Sequence, residues 1–527
     1  MRTRPDAPTA RPMFALVAGI LLVVGTACGP TVPHQSGTAG AVAASPGAGL
    51  GVPSGTTSTT GGKKAGSGAV TGAGGSTTGG SMGGTTGGVA GGGSGGGSLP
   101  TGTGGGKHLA VAPSAPGVTD TTIYIGSYYN KNQGQGNAAF GASGLDQGDA
   151  RKPQNVMIDW VNSHGGVAGR KLSPIYYGFD ASGTGPPSDQ QDQAACAKYT
   201  QDNKVFAMIV QGSIFDECAK REGAVDLNQD GTPSIYKKYP DRIDIESLNM
   251  VRAWKVTVDG AAQLGYFNAG AKIGVVAWDG PDYKEAINDG LLPELRRHGL
   301  SLATQPYFIA EPQTFQDLGS ASAAVNNAVL KFATLGIDHV FVMDGQAGLC
   351  GGSCLSIEWL KRAESQQYYP DYAFNDKNSA IELAKLGILS KRQAVGSIYI
   401  NWTDAGPDYE KGLKPNPQLQ ECIKIMKAHN IDMSNANQQG AAYAACEDMW
   451  FMQTVGEKLT SMNLDLSTPN FINAVDALGY SYLSPLSYAN YFSAQQHDGA
   501  AGVRHGKWVP CNDLNCYKWI GTVYKVG

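Results

Sequence analysis

Charged side chains are scarce, at 16% of 527 residues, with 40 Lys and Arg set against 44 Asp and Glu. A formal net charge of -4 suggests neither a nucleic-acid footprint nor a polybasic membrane patch. Long hydrophobic runs are missing as well. The apolar stretch 13–24 is shorter than the ~20 residues of a bilayer crossing, and no later segment is long and apolar enough to make one. The eight histidines contain no His-Glu-x-x-His pair, and beyond residue 106 there is no Gly-x-Ser-x-Gly elbow. Gly134-Gln-Gly136 belongs to no complete dinucleotide fingerprint, and its plain reading is a flexible ligand loop. No enzymatic activity, metal or cofactor is expected.

Glycine, by contrast, is abundant, and 30 of its 73 residues crowd into one stretch. Residues 29–106 are mostly Gly, Ser, Thr and Ala, with no aromatic side chain. Such a composition cannot bury enough apolar surface to offset chain entropy, so a disordered tether is expected, about 50 Å from end to end. Ahead of it stand a basic start (Arg2, Arg4, Arg11), the short apolar core and the small residues Gly25-Thr-Ala27 before Cys28. This reads as an export signal, and the last four residues resemble the lipobox of bacterial lipoproteins. The resemblance implies cleavage before Cys28 and a diacylglycerol on its thiol. Several acyl chains on one residue give stable anchoring to the outer face of the cell membrane.

After the tether the texture changes. Thr121-Thr-Ile-Tyr-Ile125 is a β-branched, aromatic run followed by a glycine-rich loop. Helical spacing over 155–162, a strand over 171–179, a helix over 189–201 and a buried strand over 205–210 continue the alternation. A second series follows, with helices over 251–267, 283–298 and 323–335 and strands over 272–278, 302–309 and 339–343. Beyond residue 394 the pattern loosens: strands over 395–400 and 517–524, helices over 419–428 and 441–459. Two runs of β-α units imply an α/β fold of two lobes, each a mostly parallel sheet flanked by helices, with a ligand cleft between strand ends.

Eight cysteines lie beyond Cys28, an even number that in an exported chain favours disulfides. Sequence neighbours give the simplest pairing: Cys196 with Cys218, Cys350 with Cys354, Cys422 with Cys446, and Cys511 with Cys516. Eight cysteines allow many other pairings, and the spacing of the two close pairs alone would also permit zinc.

Gly117-Val-Thr-Asp-Thr-Thr-Ile-Tyr-Ile-Gly126, followed by Val161-Asn-Ser-His-Gly-Gly-Val-Ala-Gly-Arg-Lys-Leu172, resembles the branched-chain amino-acid-binding (leucine/isoleucine/valine-binding) family of ABC-transporter receptors, which are type I periplasmic binding proteins. The likeness spans about 118–527 and weakens after residue 390. It implies a two-lobed fold, three hinge crossings and closure around a small solute. It also implies ligand contacts from loops at the C-terminal ends of strands. Tyr128, in the loop after the first strand, can cover a ligand with its ring or be a surface aromatic. Ser213, in Gln211-Gly-Ser213, resembles a carboxylate clamp, with a turn or helix-cap hydroxyl as the alternative. Ser234 and Tyr236 end what reads as a following strand. From the other lobe come Asp279 and Tyr283, and Asp344, which resembles the acidic partner of an amino group. Asp279 and Asp344 can equally cap helices. The usual Ser/Thr-rich loop is replaced by Ile214-Phe-Asp-Glu-Cys218, so the cargo need not be leucine or its relatives.

The expected organisation is a signal peptide (1–27), an anchored tether (28–106), the first lobe (118–250), the second lobe (251–375), a return to the first lobe (376–490) and C-terminal strands near the hinge or second lobe (491–527). Hinges are expected near 247–252 and 375–395. The expected function is an extracytoplasmic, monomeric solute-binding lipoprotein that passes a small polar or amino-acid-like solute, zwitterionic if a carboxylate faces the clamp, to an ABC permease. A ligand-sensing module on the same fold is the alternative.

Overall fold

The β-branched run after residue 121 forms a longer strand than its sequence suggests, β1 (Thr122–Lys131), with Ile123 and Ile125 wholly buried. The computed structural model describes residues 115–139, 141–142, 146–345, 353–403, 416–433, 436–509 and 517–526. The signal, Cys28, the tether, Cys350, Cys511 and Cys516 lie outside the described residues. The glycine-rich stretch after β1 corrects the expectation of a loop, since it forms α1 (Gln133–Ala139). Next come α2 (Arg151–Ser163), β2 (Lys171–Asp180), α3 (Ser188–Ala197), β3 (Ala207–Val210), α4 (Ile214–Glu222), β4 (Val225–Asn228), α5 (Pro233–Lys238) and β5 (Arg242–Ile243). Helix α2 turns Met157, Ile158 and Val161 inward. The turn after it needs glycine: Gly166 has φ +69°, and a Cβ there would meet the Arg170 carbonyl oxygen at 2.1 Å.

The five strands pair in the order β2-β1-β3-β4-β5, all parallel. One expectation fails here. No strand ends at Tyr236, because Pro233 opens α5 at a position where a missing N–H costs nothing. The strand in that region is β4, whose Asp226 hides it from a reading based on apolar runs.

The second series supplies α6 (Met250–Gln263), β6 (Ile273–Trp278), α7 (Pro281–Glu285), α8 (Leu292–Arg297), β7 (Tyr307–Ile309) and α9 (Leu318–Leu335). It continues with β8 (His339–Met343), α10 (Cys354–Ser365), β9 (Asp371–Asn375), α11 (Ala380–Lys385), α12 (Lys391–Ala394) and β10 (Ile398–Asn401). Only the last three residues of the expected 302–309 strand form β7. Every residue of β6 and β8 is buried, as a sheet covered on both faces requires.

The chain then runs through α13 (Pro417–Ala428), α14 (Ala436–Met462) and α15 (Thr468–Asp476), and closes with β11 (Gly502–Trp508) and β12 (Tyr517–Lys525). The second sheet has the order β12-β11-β10-β9-β8-β6-β7, with β11 antiparallel to both of its neighbours, β10 and β12. This corrects two boundaries. Strand β10 belongs to the second sheet, so the return to the first lobe starts after it and not at residue 376. The expected hinge at 375–395 lies inside the second lobe for the same reason.

Helices α13 to α15 cover one face of the first sheet, where Leu419, Met449 and Phe471 join Ile123, Met157 and Val225 in one core. Helices α3 and α4 cover the other face, around Tyr199 and Phe215. Cys196–Cys218 ties α3 to α4, and Cys422–Cys446 ties α13 to α14. Cys354 is also disulfide-bonded. Between the lobes, residues 244–250 and 497–502 run side by side: Asp244 N–H donates to His497 O at 3.0 Å and Gly499 N–H to Asp244 O at 2.7 Å. Asp498 then accepts from Asn249 N–H at 2.9 Å and pairs with Arg252.

Candidate functional site

Parallel strands direct their C-terminal ends the same way, so β1, β3 and β4 deliver Tyr128, Gln211 and Gln229 to one edge of the first sheet. Asn228 shapes that edge. Its amide donates to Gly212 O at 2.8 Å and accepts from Gly212 N–H at 3.1 Å, holding Gly212 at φ +111°. The chain then turns into α4 with Ser213 just ahead of its first residue. Across the gap, the segment after β7 brings Glu311 and Gln313, and Ser188 Oγ donates to Gln313 O at 3.0 Å.

Tyr128, Asp192, Ser213, Glu311 and Gln313 thereby line a cavity of about 230 Å³ with walls from both lobes. Tyr128 is part of β1 and not of a loop. Its ring packs on Phe179 and Phe215, and its hydroxyl donates to Asp192 Oδ1 at 3.2 Å. Burial, then the charge of Asp192, pushes the Tyr128 hydroxyl well above the usual tyrosine range. Burial lifts Asp192 to about 7, and burial together with the charges of Asp344 and Asp230 lifts Glu311 to about 7. Each lobe therefore presents a carboxyl group that changes charge near neutrality.

The structure brings Tyr128 and Ser213 together but distributes the other candidates differently. Ser213 is exposed at the mouth of α4 and makes no side-chain cap bond. Ser234 fastens the lobes: its N–H donates to Glu285 Oε1 at 3.0 Å, its hydroxyl also bonds Glu285, and Thr232 Oγ1 donates to Glu285 Oε2 at 2.7 Å. Tyr236 packs edge-on against His497 on the crossing segment and does not line the cavity. Asp279 is exposed and paired with Lys284 at 2.5 Å. Tyr283 lies at the lobe junction, where its hydroxyl closes on Gly345 and burial pushes its pKa up. Asp344 takes the capping alternative, accepting from Ser356 N–H at 2.7 Å and Leu355 N–H at 3.3 Å at the start of α10. Its carboxylate is thus engaged by backbone, which corrects its reading as the partner of an amino group.

Asp192, Glu311 and the buried interlobe pair Asp230–Lys377 were not anticipated. Glu311 was within reach, since it follows a strand end that the sequence places at 309. Asp192 was not, because its link to Tyr128 spans 64 residues and exists only in the folded chain.

No family model and no curated protein matches the sequence. Solved structures do. The chain is similar to the fatty acid ABC transporter substrate-binding protein from Thermomonospora curvata, at 16% identity and a TM-score of 0.53, over 79% of this chain and 97% of that one. It is similar to an extracellular ligand-binding receptor from Verminephrobacter eiseniae at 18% identity and a TM-score of 0.51, over 77% and 100%. A solute-binding protein of an ABC transporter from R. palustris, in complex with 4-hydroxybenzoate, aligns at 14% identity and a TM-score of 0.53, over 77% and 97%. The fold is that of the type I periplasmic binding proteins. Identities this low carry architecture alone. Within the type I fold, the cavity found here lies at the strand ends, with walls from both lobes.

Proposed function

We propose that the protein captures a small polar solute between its lobes, outside the cytoplasm, and presents it to the permease of an ABC importer. The observation that carries this reading is the polar cavity at the C-terminal edge of the first sheet, walled by Tyr128, Asp192 and Ser213 from one lobe and by Glu311 and Gln313 from the other. Polar contacts join the lobes beside it, among them Ser188 with Gln313, Ser234 with Glu285 and Asp230 with Lys377, so opening to release a solute would have to break them. The solved structures of the same fold named above are substrate- or solute-binding proteins of ABC transporters and an extracellular ligand-binding receptor, which supports the same role.

An amino-acid-like solute fits the charges. Asp192 and Glu311 receive an ammonium group, while Ser213 and the N-terminus of α4 face a carboxylate. No catalytic step is part of this reading. Export is supported by the signal pattern before Cys28 and by the disulfides Cys196–Cys218 and Cys422–Cys446, which belong to oxidising compartments. Lipid on Cys28 would keep a monomeric receptor at the membrane, on a tether long enough to reach its permease.

A thermal-shift screen of the full chain against amino acids, amides, small acids and aromatic acids tests the proposal. A ligand at a hundredfold excess over its Kd contributes about 2.7 kcal/mol and raises the midpoint. A panel that leaves the midpoint unmoved throughout would sink the solute-capture reading.

A further inference from the structure

Helix α1 leaves the first lobe and comes to rest against the second. It follows closely on Asn130 of β1, which lines the interlobe cavity. Its base is tied to the first lobe: Asn132 Nδ2 donates to Asp180 Oδ1 at 3.2 Å, and Gln133 Oε1 accepts from Gln147 N–H at 3.0 Å. Its far end meets the other lobe. Ala142, just past the helix, is buried and joins the apolar core of Trp278, Leu355 and Trp359. Beside it, a Cβ on Gly141 would come within 2.9 Å of Lys361 Nζ on α10.

Phe315 completes this seat from the loop that carries Glu311 and Gln313 to the cavity. Its ring packs on the core of the second lobe, yet it also fills a notch between two glycines of the first. A Cβ on Gly183 would overlap the ring, and one on Gly136 would stand 3.7 Å from its Cζ. The lobes therefore interlock at this point and do not merely touch. Asp317 holds the loop in shape, accepting from Thr314 N–H and from Thr314 Oγ1, each at 2.8 Å.

Helix α1 has little stability of its own. It has seven residues, where isolated helices shorter than ~12–15 are marginal, and Gly134 and Gly136 both disfavour the helix. The element depends on what it packs against, and part of that belongs to the other lobe. Segments of this kind open at a lower free energy than the core they lie on.

We propose that α1 is a strap between the lobes, and that its release from Phe315 and α10 is the step that lets them part. Gly136 serves both ends of this arrangement, since it weakens the helix and brings its backbone close to the Phe315 ring. The strap deepens the capture reading, on which only its effect on solute release rests.

Residue-resolved hydrogen exchange on the full chain, without added solute, tests the proposal at two amides. Ala142 N–H donates to Asn137 O at 2.8 Å and reports the strap, while Ser188 N–H donates to Gln313 O of the opposite lobe at 3.4 Å and reports the gap. Phe315→Ala should speed both tenfold or more, while Phe206 N–H, bonded to Tyr124 O on β1, keeps its rate. Gly134→Ala strengthens α1, displacing only the far end of the Asp146 side chain, and should slow both. Acceleration at one of the two amides alone, at neither, or at Phe206 as well would overturn the strap. If Phe315→Ala does not fold, Gly134→Ala decides by slowing both amides or failing to. A solute from the thermal-shift panel should leave Phe315→Ala about tenfold faster than wild type, and an unchanged release rate would contradict the role of α1 in parting the lobes. An empty panel counts against solute capture alone, because both amides are read without a solute.

Discussion

Asp344 illustrates how a residue can occupy the expected place and perform a different task. It ends β8, as a ligand contact should, but its two oxygens accept the N–H groups of Leu355 and Ser356. Asp344→Ala should therefore cost about 1–2 kcal/mol of stability in urea unfolding, while solute affinity stays within about threefold. A large loss of affinity without loss of stability would return Asp344 to the ligand. The strand-end rule names positions and says nothing of direction, which is why it also selected Asp279, a residue facing solvent beside Lys284. Where the side chain of a strand-end residue points depends on the helix that follows, and that is settled by tertiary packing.

Glu246 yields a prediction in pH. Burial, then the charges of Glu447, Asp244 and Asp376 with Lys377 opposing, raises its carboxyl to about 8 from an ordinary 4.5. Asp448 on α14 also feels its charge. The folded state then holds this proton more tightly than the unfolded chain. The resulting stability is complete below about 4.5 and is lost as pH rises through about 8. Melting temperature should fall between pH 5 and 8.5, and Glu246→Gln should lessen that fall by raising the midpoint chiefly at the alkaline end. An unchanged slope in the variant would show that Glu246 titrates as an ordinary surface acid.

Among elements, the strands β3, β6 and β8 were legible because buried parallel strands read as unbroken apolar runs. Strand β4 was not, with Asp226 at its centre, and its neighbour β5 has only two residues. Helix α1 was hidden because glycine is a poor helix former, and tertiary contact overrides that preference: a Cβ at Gly136 would meet Ala181 O at 1.9 Å. Helices α13 and α14 followed from their spacing, and the disulfide between them closes a separation of 24 residues. Replacing Cys422 and Cys446 together by Ser should cost about 3 kcal/mol, read as a lower denaturant midpoint for the whole transition. A second, earlier transition would instead mean that α13 to α15 unfold apart from the sheet they cover.

For the whole molecule, repeated β-α units were enough to foresee two lobes and a cleft. They could not show that the last two strands complete the second sheet, since β10 and β11 pair antiparallel with about a hundred residues between them in the chain. Nor could they show which side chains meet across the gap. Asp192 and Glu311 approach one cavity from different lobes, and capture between lobes requires that both matter. The most direct test uses a solute from the thermal-shift panel and measures its Kd for the full chain, for Asp192→Asn and for Glu311→Gln. Each substitution should weaken binding about tenfold or more, equivalent to about 1.4 kcal/mol, with the fold intact. If the Kd is unchanged when either lobe is altered, the solute is not held between them.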